Sequence, residues 1–291
     1  MERTKTIAPP DAILSADWHL RVDQPVCRTD DFPETQFRKV EHIADLGRKY
    51  QVPVIVAGDL FHHWKPSPYL LSKTMKYLPD DFRTIYGNHD LPQHSLAEIE
   101  KCGIHVLETS GHLELLPGVH WGQQPEGPSL VIKGRKILVW HVMTYKTREP
   151  WPGCTAPKGG KLLRQNPEYD LILTGDNHVP FTEEHEGRIL VNPGSLARQA
   201  ADQIDYRPRV YYYYADTNTV KPHYLPIETG AVTRSHIERS SERDDRIKAF
   251  ITRIDGEWKT SMDFERNLER FFAENQIRQS VKEKTYKAIE R

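Results

Sequence analysis

Short apolar runs alternate with helical stripes along the first part of the chain. Residues spaced three and four apart predict helices at 33–50, 69–77 and 96–102. The apolar runs between them predict strands at 11–16, 52–57, 82–86 and 104–107. Strands that alternate with helices in this way are typical of an α/β fold.

The middle of the chain changes to a pattern that is mostly strand. Between residues 113 and 142, Gly134-Arg135 separates two apolar runs and predicts a hairpin. Further strands are predicted at 169–173 and 188–191, and a second hairpin at 209–215 and 220–227. We expect residues 8–230 to form the core, with a small β cap region near 200–228.

Residues 231–291 have a helical pattern and form a predicted C-terminal extension. One stripe contains Ile247, Phe250, Ile251 and Ile254, and a second contains Phe264, Leu268, Phe271 and Phe272. A capping box at 280–283 predicts the start of a third helix. The second stripe either binds a partner's helix or closes a small core within the extension.

The composition is that of an ordinary soluble globular protein. The chain has 291 residues and a formal net charge of -1, so it lacks the overall basic charge that holds a protein nonspecifically on nucleic acid. It has no apolar stretch of membrane-spanning length and no secretory signal pattern at its N-terminus. We therefore expect a cytoplasmic protein that does not associate with membranes. The spacing of Cys27, Cys102 and Cys154 predicts reduced cysteines, with neither a zinc site nor a disulfide.

Short clusters of polar residues directly follow five of the predicted strands. In α/β sheets, ligands bind outside the carboxyl ends of the strands, so these residues are expected to converge. The clusters are Asp17-Trp18-His19, Gly58-Asp59-Leu60-Phe61-His62, Gly87-Asn88-His89-Asp90, His141 and Gly175-Asp176-Asn177-His178.

Carboxylate, imidazole and carboxamide groups without thiolate suit divalent ions such as Mn²⁺, Fe²⁺, Mg²⁺ or Zn²⁺. The clusters offer more ligands than one ion uses, which predicts a pair of ions. Paired ions activate a water and stabilise the oxyanion of an in-line displacement at phosphorus. Phosphate-ester hydrolysis is the predicted reaction.

The ordered clusters resemble the calcineurin-like metallophosphoesterase superfamily, whose motifs run Asp-x-His, Gly-Asp, Gly-Asn-His-Asp/Glu, His and Gly-His-x-His. The resemblance covers roughly residues 11 to 195 and implies a two-sheet α/β sandwich flanked by helices. It implies that His89 protonates the leaving group or stabilises the transition state, with Asp90 orienting it. It also implies two metal sites that share Asp59: one formed by Asp17, His19, Asp59 and His178, and one by Asp59, Asn88, His141 and Asp176.

One position departs from the motifs of the superfamily. Asp176 stands where the last motif has its first histidine. An anionic oxygen in place of a neutral imidazole favours a harder ion, so Mn²⁺ is the expected metal. The alternative is that Asp176 does not ligate and the second ion binds weakly or is lost.

The segment Gly58-Asp59-Leu60-Phe61-His62 is similar to a motif of the SbcD-type nucleases of double-strand-break repair. This resemblance implies DNA as the substrate, a role for His62 in positioning it, an SMC-like coiled-coil ATPase partner bound by the C-terminal helices, and a homodimer. His62 is equally consistent with a residue that orients a metal ligand.

Three functions are consistent with the sequence. We expect a manganese-dependent exo- or endonuclease of recombination, repair or phage DNA metabolism. The alternatives are a phosphodiesterase or phosphatase acting on small molecules or phosphoproteins, and a catalytically weak binding module.

Overall fold

The computed structural model describes residues 8–117, 119–120, 122–235, 237–239, 242–248 and 264–289. The chain divides into two compact units, Met1–Thr233 and Arg234–Arg291. The first contains two β-sheets and their helices, and the second is helical where it is described. The predicted α/β sandwich flanked by helices, with a helical C-terminal extension, is confirmed.

The first sheet has six strands in the order β11-β10-β1-β2-β3-β4. The first four strands in the chain are parallel to one another, whereas β10 is antiparallel to both β1 and β11. The strands are β1 (Ala12–Ser15), β2 (Val54–Val56), β3 (Phe82–Thr84), β4 (Glu114–Leu115), β10 (Arg209–Tyr214) and β11 (Thr219–Tyr224).

The second sheet has five strands in the order β5-β6-β7-β9-β8. Its three central strands are parallel, and both edge strands are antiparallel to their neighbours. The strands are β5 (Leu130–Ile132), β6 (Arg135–Trp140), β7 (Leu171–Thr174), β8 (Phe181–His185) and β9 (Arg188–Asn192).

The two sheets pack face to face and are covered by helices on their outer faces. Alternate residues of β1 show this arrangement, because Leu14 faces the second sheet whereas Ile13 faces the helices. The helices α1 (Phe32–Tyr50), α2 (Pro68–Tyr77) and α3 (Gly103–Thr109) cover the first sheet, and α4 (Gly159–Gln165) covers the second. This layering fixes the carboxyl ends of the parallel strands at one edge of the sandwich.

The helix α1 starts at Phe32, one residue before the predicted start, and ends at Tyr50, as predicted. Asp31 caps its first turn by accepting a hydrogen bond from the Glu34 N–H, and Pro33 occupies the first turn. Gln51 ends the helix in a left-handed conformation. The buried stripe that includes Phe37, Val40 and Ile43 packs on the first sheet.

Two short elements differ from the prediction. Residues 104–107, predicted as a strand, form part of the helix α3, in which Ile104 and Leu107 are both buried. Their spacing of three suits one helical face, but so short an apolar run does not distinguish a helix from a strand. The helix predicted at 96–102 is a 3₁₀-helix, Leu96–Lys101, with Glu98 outside helical geometry.

The hairpin that was expected to form a small cap belongs to the main sheet. The strands β10 and β11 extend the first sheet because β10 pairs directly with β1. Within β10, Tyr213 is fully buried and Tyr211 faces the second sheet. The hairpin was correctly located, but its placement as a cap was wrong, because these tyrosines complete the core between the sheets.

In the second unit, two helices are described, α5 (Phe264–Glu274) and α6 (Gln279–Ile289). The predicted stripe that includes Phe271 and Phe272 is only partly buried. Phe272 packs against Tyr286, whereas Phe271 is exposed to solvent. Phe250, Ile251 and Ile254 of the other predicted stripe lie outside the described residues, as does the side chain of Phe264.

Cys27, Cys102 and Cys154 are free cysteines. Within the described parts of the chain, no helix combines the length and the apolar character that crossing a bilayer requires.

A buried lysine gives the first unit a specific pH dependence. Lys39 of α1 is 4% exposed and donates a hydrogen bond to the Pro226 carbonyl oxygen at 2.6 Å. Burial, reinforced by Arg28 and Arg198, lowers the Lys39 pKa from 10.5 to about 8. The folded protein therefore loses this proton at a lower pH than the unfolded chain does. Below pH 8 the buried positive charge lowers the free energy of unfolding by its full amount. This destabilisation diminishes as the pH rises towards 10.5.

We expect the Lys39→Met variant to lack this pH dependence. Between about pH 7.5 and pH 9.5, the free energy of unfolding of the wild type should rise by about 1–2 kcal/mol relative to that of the variant. Urea unfolding of both proteins at the two pH values measures the difference. Both proteins contain the same tyrosines, so the effect of tyrosine titration on the free energy of unfolding cancels in the comparison. Parallel pH dependences would contradict the assignment.

Candidate metal centre

The five polar clusters meet at the carboxyl ends of β1, β2, β3, β6 and β7. The loops after β1 and β2 run side by side, because the Asp17 N–H donates to the Gly58 carbonyl oxygen and the His19 N–H to that of Asp59. Four site residues have left-handed backbone conformations, each of which costs about 1–3 kcal/mol. They are Asp17 (φ 50°), His19 (φ 45°), Asp59 (φ 54°) and Asp176 (φ 73°).

Asp59 lies between two groups of ligand atoms. Its Oδ2 is 3.5 Å from His19 Nε2 on one side and 3.5 Å from His141 Nε2 on the other. Its Oδ1 accepts a hydrogen bond from the His89 backbone N–H at 2.9 Å. The side chain is 1% exposed, so its contacts with the protein fix its position.

The first group of ligand atoms is formed by Asp17, His19 and His178. The Nε2 atoms of the two histidines are 3.0 Å apart. Asp17 Oδ1 accepts a hydrogen bond from the Asp176 N–H, whereas its Oδ2 is buried without a hydrogen-bond partner. A buried carboxylate oxygen without a donor is the environment that a cation would complete.

The second group contains His141, Asn88 and Asp176. His141 Nε2 is 2.9 Å from Asn88 Oδ1 and 3.9 Å from Asp176 Oδ1. The other ring nitrogen, Nδ1, donates to the Ala57 carbonyl oxygen at 2.6 Å. This bond places the proton on Nδ1 and leaves Nε2 free to ligate, as is usual for histidines that bind metals.

The separations between these atoms fit shared divalent ions. Ligands about 2.1 Å from one ion lie about 3.0–3.5 Å apart when they are adjacent in octahedral or tetrahedral geometry. The distances from His19 to His178, and from Asp59 to each of His19 and His141, fall within that interval. The residues present therefore fit two cation positions that share Asp59.

The charges within the site act on one another strongly. Burial raises the pKa of Asp59, but the neighbouring His141 and His19 outweigh burial and hold it well below its usual value. Burial raises the pKa of Asp17 to about 7, against the opposing effect of His141. Burial lowers the pKa of His141, but the carboxylates around it, Asp59 foremost, raise it to about 10. The pKa values of His141 and of the carboxylates around it are therefore coupled, because each charge shifts the pKa of the others.

His89 and His62 lie beside the His19 side of the centre. The ring centroid of His89 is 4.7 Å from that of His19 and 5.4 Å from that of His62. The His89 Nδ1–H donates to the His62 carbonyl oxygen at 2.8 Å, which leaves Nε2 available for proton transfer. Burial, with Arg21 close by, lowers the pKa of His62 to about 4. One ring nitrogen from each of His19, His62 and His89 lies within 4.8 Å of those of the other two.

The Asp90 side chain binds backbone N–H groups, whereas it was expected to orient His89. Its carboxylate accepts hydrogen bonds from the N–H groups of Leu60, Phe61 and Gly87 at 3.0–3.2 Å. Burial and Asp59 raise its pKa to about 7, whereas the hydrogen bonds act in the opposite direction. Asp90 thereby ties together the loops after β2 and β3, and the orientation of His89 comes from the His62 carbonyl.

Gly175 allows the close approach that fixes His141. A Cβ at this position would lie 2.7 Å from His141 Nδ1 and would also collide with the Ala57 carbonyl oxygen, the two partners of the orienting hydrogen bond. We expect Gly175→Ala to destabilise the protein by about 1–3 kcal/mol through overpacking and to weaken metal binding. Thermal unfolding and calorimetric Mn²⁺ titration measure both effects. Gly127→Ala, where a Cβ meets nothing within 4 Å, is the control; equal behaviour of the two variants would contradict the prediction.

The structure brings together all seven residues that the sequence suggested as metal ligands, and places His89 and His62 beside them. The sequence did not indicate the carbonyls of Ala57 and His62, which orient His141 and His89. Backbone acceptors carry no residue-type signal, so only the fold reveals them.

The model of the calcineurin-like phosphoesterase superfamily domain matches residues 13–212. The chain belongs to the calcineurin-like phosphoesterase superfamily and is a hydrolase of phosphate esters with a metal site.

The chain is also similar to individual proteins. The DNA double-strand break repair protein Mre11 of Haloferax volcanii is 30% identical over 177 residues, which cover 54% of this chain and 38% of that relative. The match thus spans well under half of the relative's length. Among solved structures, an archaeal phosphodiesterase has a TM-score of 0.43 at 12% identity, covering 74% of this chain and 99% of its own. A protein of Thermus thermophilus has a TM-score of 0.43 at 11% identity, covering 75% of this chain and 99% of its own.

Proposed function

We propose that this protein is a manganese-dependent nuclease that cleaves DNA phosphodiester bonds at a two-ion centre. The observation that carries the proposal is the position of Asp59, whose Oδ2 is equally close to His19 and His141. A carboxylate shared in this way suits ions about 3.5–4 Å apart, the spacing at which two ions bind a phosphoryl group between them.

The residues of this chain have distinct roles in the proposed reaction. Asp17, His19 and His178 would hold one ion, Asn88, His141 and Asp176 the other, and Asp59 both. When bound, the ions supply an activated water and neutralise charge on the phosphoryl oxygens. His89, held through Nδ1, presents Nε2 to the leaving oxygen and protonates it when the ring is cationic.

DNA is the proposed substrate because the partial relative is a DNA repair protein and because His62 extends the site beyond the ligands. His62 lies against both His19 and His89, so a strand that enters the centre from that side would contact it. Cleavage is exo- or endonucleolytic and serves recombination, repair or phage DNA metabolism.

Manganese is the proposed metal because of Asp176. Three carboxylates and one carboxamide accompany three imidazoles, and such an oxygen-rich set favours Mn²⁺ over Zn²⁺. Restoring histidine with Asp176→His should shift the preference towards Zn²⁺. Activity of both proteins across a Mn²⁺ and Zn²⁺ series tests this assignment, and an unchanged preference would argue against Asp176 as a ligand.

The C-terminal helices are the proposed binding site for an SMC-like coiled-coil ATPase. Exposed Phe271 supports this role, whereas buried Phe272 closes the helical unit itself. A homodimer and a cytoplasmic location complete the proposal.

Cleavage assays on linear double-stranded and single-stranded DNA, with Mn²⁺, Mg²⁺ or a chelator, test the function. Mn²⁺-dependent cleavage of DNA supports it. Hydrolysis of bis-p-nitrophenyl phosphate without cleavage of DNA would favour a small-molecule phosphodiesterase. Failure to hydrolyse either substrate, although DNA binds, would identify a binding module.

A further inference from the structure

A cleft of about 360 Å³ opens beside the second group of ligands. His141 and Asp176 form part of its wall, so the cleft is continuous with the candidate metal centre. Trp151, Gln123 and Gln124 also line it. A substrate whose phosphate lies at the centre would therefore extend one of its flanking groups into this cleft.

The lining selects the chemistry of that group. The Trp151 side chain is 50% exposed, although tryptophan is a residue that is usually well buried. The two glutamines provide amide donors and acceptors of the kind that bind the polar edges of bases. Among the described residues of the lining, none is Lys or Arg, and Asp176 contributes negative charge. A neutral planar group suits this cleft, and a phosphate does not.

The size of the cleft limits the occupant further. Its volume lies at the lower end of the roughly 300–1,000 Å³ typical of small-molecule sites. One unpaired base fits such a space, whereas a base within a duplex has its faces covered by the stacked neighbouring pairs. An unpaired base also exposes the face and the edge that an aromatic ring and two amides can bind.

We propose that this cleft is a subsite for the unpaired base next to the scissile phosphate, with Trp151 as the stacking surface. The subsite rests on the proposed nuclease function and gives it a specificity: frayed or single-stranded ends are cleaved in preference to paired DNA. Trp151 is a specificity-determining residue, outside the group of residues that holds metal or moves protons.

The test compares two proteins with two kinds of substrate. Wild type and Trp151→Ala act on short single-stranded oligonucleotides in which either nucleotide flanking the scissile phosphate is intact or abasic. In the wild type, removing the stacked base should lower kcat/KM roughly 5- to 100-fold. The variant should show the same loss on the intact substrate and little further loss on the abasic one. Trp151→Phe should restore most of the preference for the base.

Tyr224→Ala, which removes an exposed aromatic ring from β11, is the matched control and should retain the preference for the intact substrate. If the Trp151→Ala variant discriminated intact from abasic DNA as strongly as the wild type does, the proposed subsite would be refuted.

Binding measured in the His89→Ala background separates the subsite from the nuclease function. Fluorescence anisotropy of a labelled oligonucleotide with Ca²⁺ should show weaker binding when the flanking base is absent, and this difference should vanish on adding Trp151→Ala. Absence of cleavage by the wild type would refute the proposed function alone. Equal binding of intact and abasic oligonucleotides would refute the subsite alone.

Discussion

Asp59→Asn is expected to lower phosphodiester hydrolysis about 10³-fold or more and to reduce the number of Mn²⁺ ions bound from two to one. Asparagine keeps an oxygen that can accept the hydrogen bond from the His89 N–H, so the loop geometry survives. In that arrangement a neutral amide nitrogen replaces Oδ2, the oxygen that lies 3.5 Å from both His19 and His141, and an amide NH₂ cannot bind cations, which removes the shared ligand. Losing even one group that stabilises charge in a transition state typically costs about 10²–10³ in rate.

Hydrolysis of bis-p-nitrophenyl phosphate and metal content after dialysis measure the two effects. Asp45→Asn on α1 is the matched control, because Asp45 is 65% exposed and pairs only with the nearby Arg48 among the contacts described. Its activity should equal that of the wild type. A variant at Asp59 that retained two ions and more than about a tenth of wild-type activity would exclude a bridging role.

His89→Ala is expected to lower cleavage of DNA by about 10²–10⁴, the usual contribution of general acid catalysis. Metal content should stay unchanged, because the hydrogen bond between residue 89 and Asp59 uses the backbone N–H, which alanine retains. The loss should depend on the leaving group. A p-nitrophenolate departs without a proton, so bis-p-nitrophenyl phosphate should be affected far less than DNA.

Rates on both substrates for His89→Ala and for His112→Ala, an exposed histidine beyond α3, provide the comparison. The control should match the wild type on both. Equal losses on the two substrates would assign His89 to binding of the phosphoryl group instead of to protonation of the leaving oxygen.

The sequence predicted the site better than it predicted the periphery of the fold. Each ligand cluster directly follows an apolar run, and parallel strands bring their carboxyl ends to one edge, so local pattern was sufficient to place Asp17, Asp59 and His141 together. The helix α1 was equally accessible because it carries an N-terminal cap, an early proline and a long stripe.

The local sequence pattern did not predict some of the peripheral elements of the fold. The strand β8 reads Phe-Thr-Glu-Glu-His and has a single clearly apolar residue, because it pairs on one side only. The helix α4 starts with two glycines, which have low helix propensity, and packing of Leu162 and Leu163 on the second sheet offsets that cost. The pairing of β10 with β1 joins residues about 200 apart in sequence, which no local pattern specifies.

The left-handed turns at the centre restrict the residue types that can occupy it. Asp17, His19, Asp59 and Asp176 all have positive φ, a conformation in which Asn, Asp and His are several-fold enriched over other residues with side chains. The residue types that the left-handed backbone favours are therefore nearly the same as those that can ligate a metal ion. An exchange between histidine and aspartate at position 176 is compatible with the turn, so the metal preference that we propose for Asp176 can change without any change in the loop conformation.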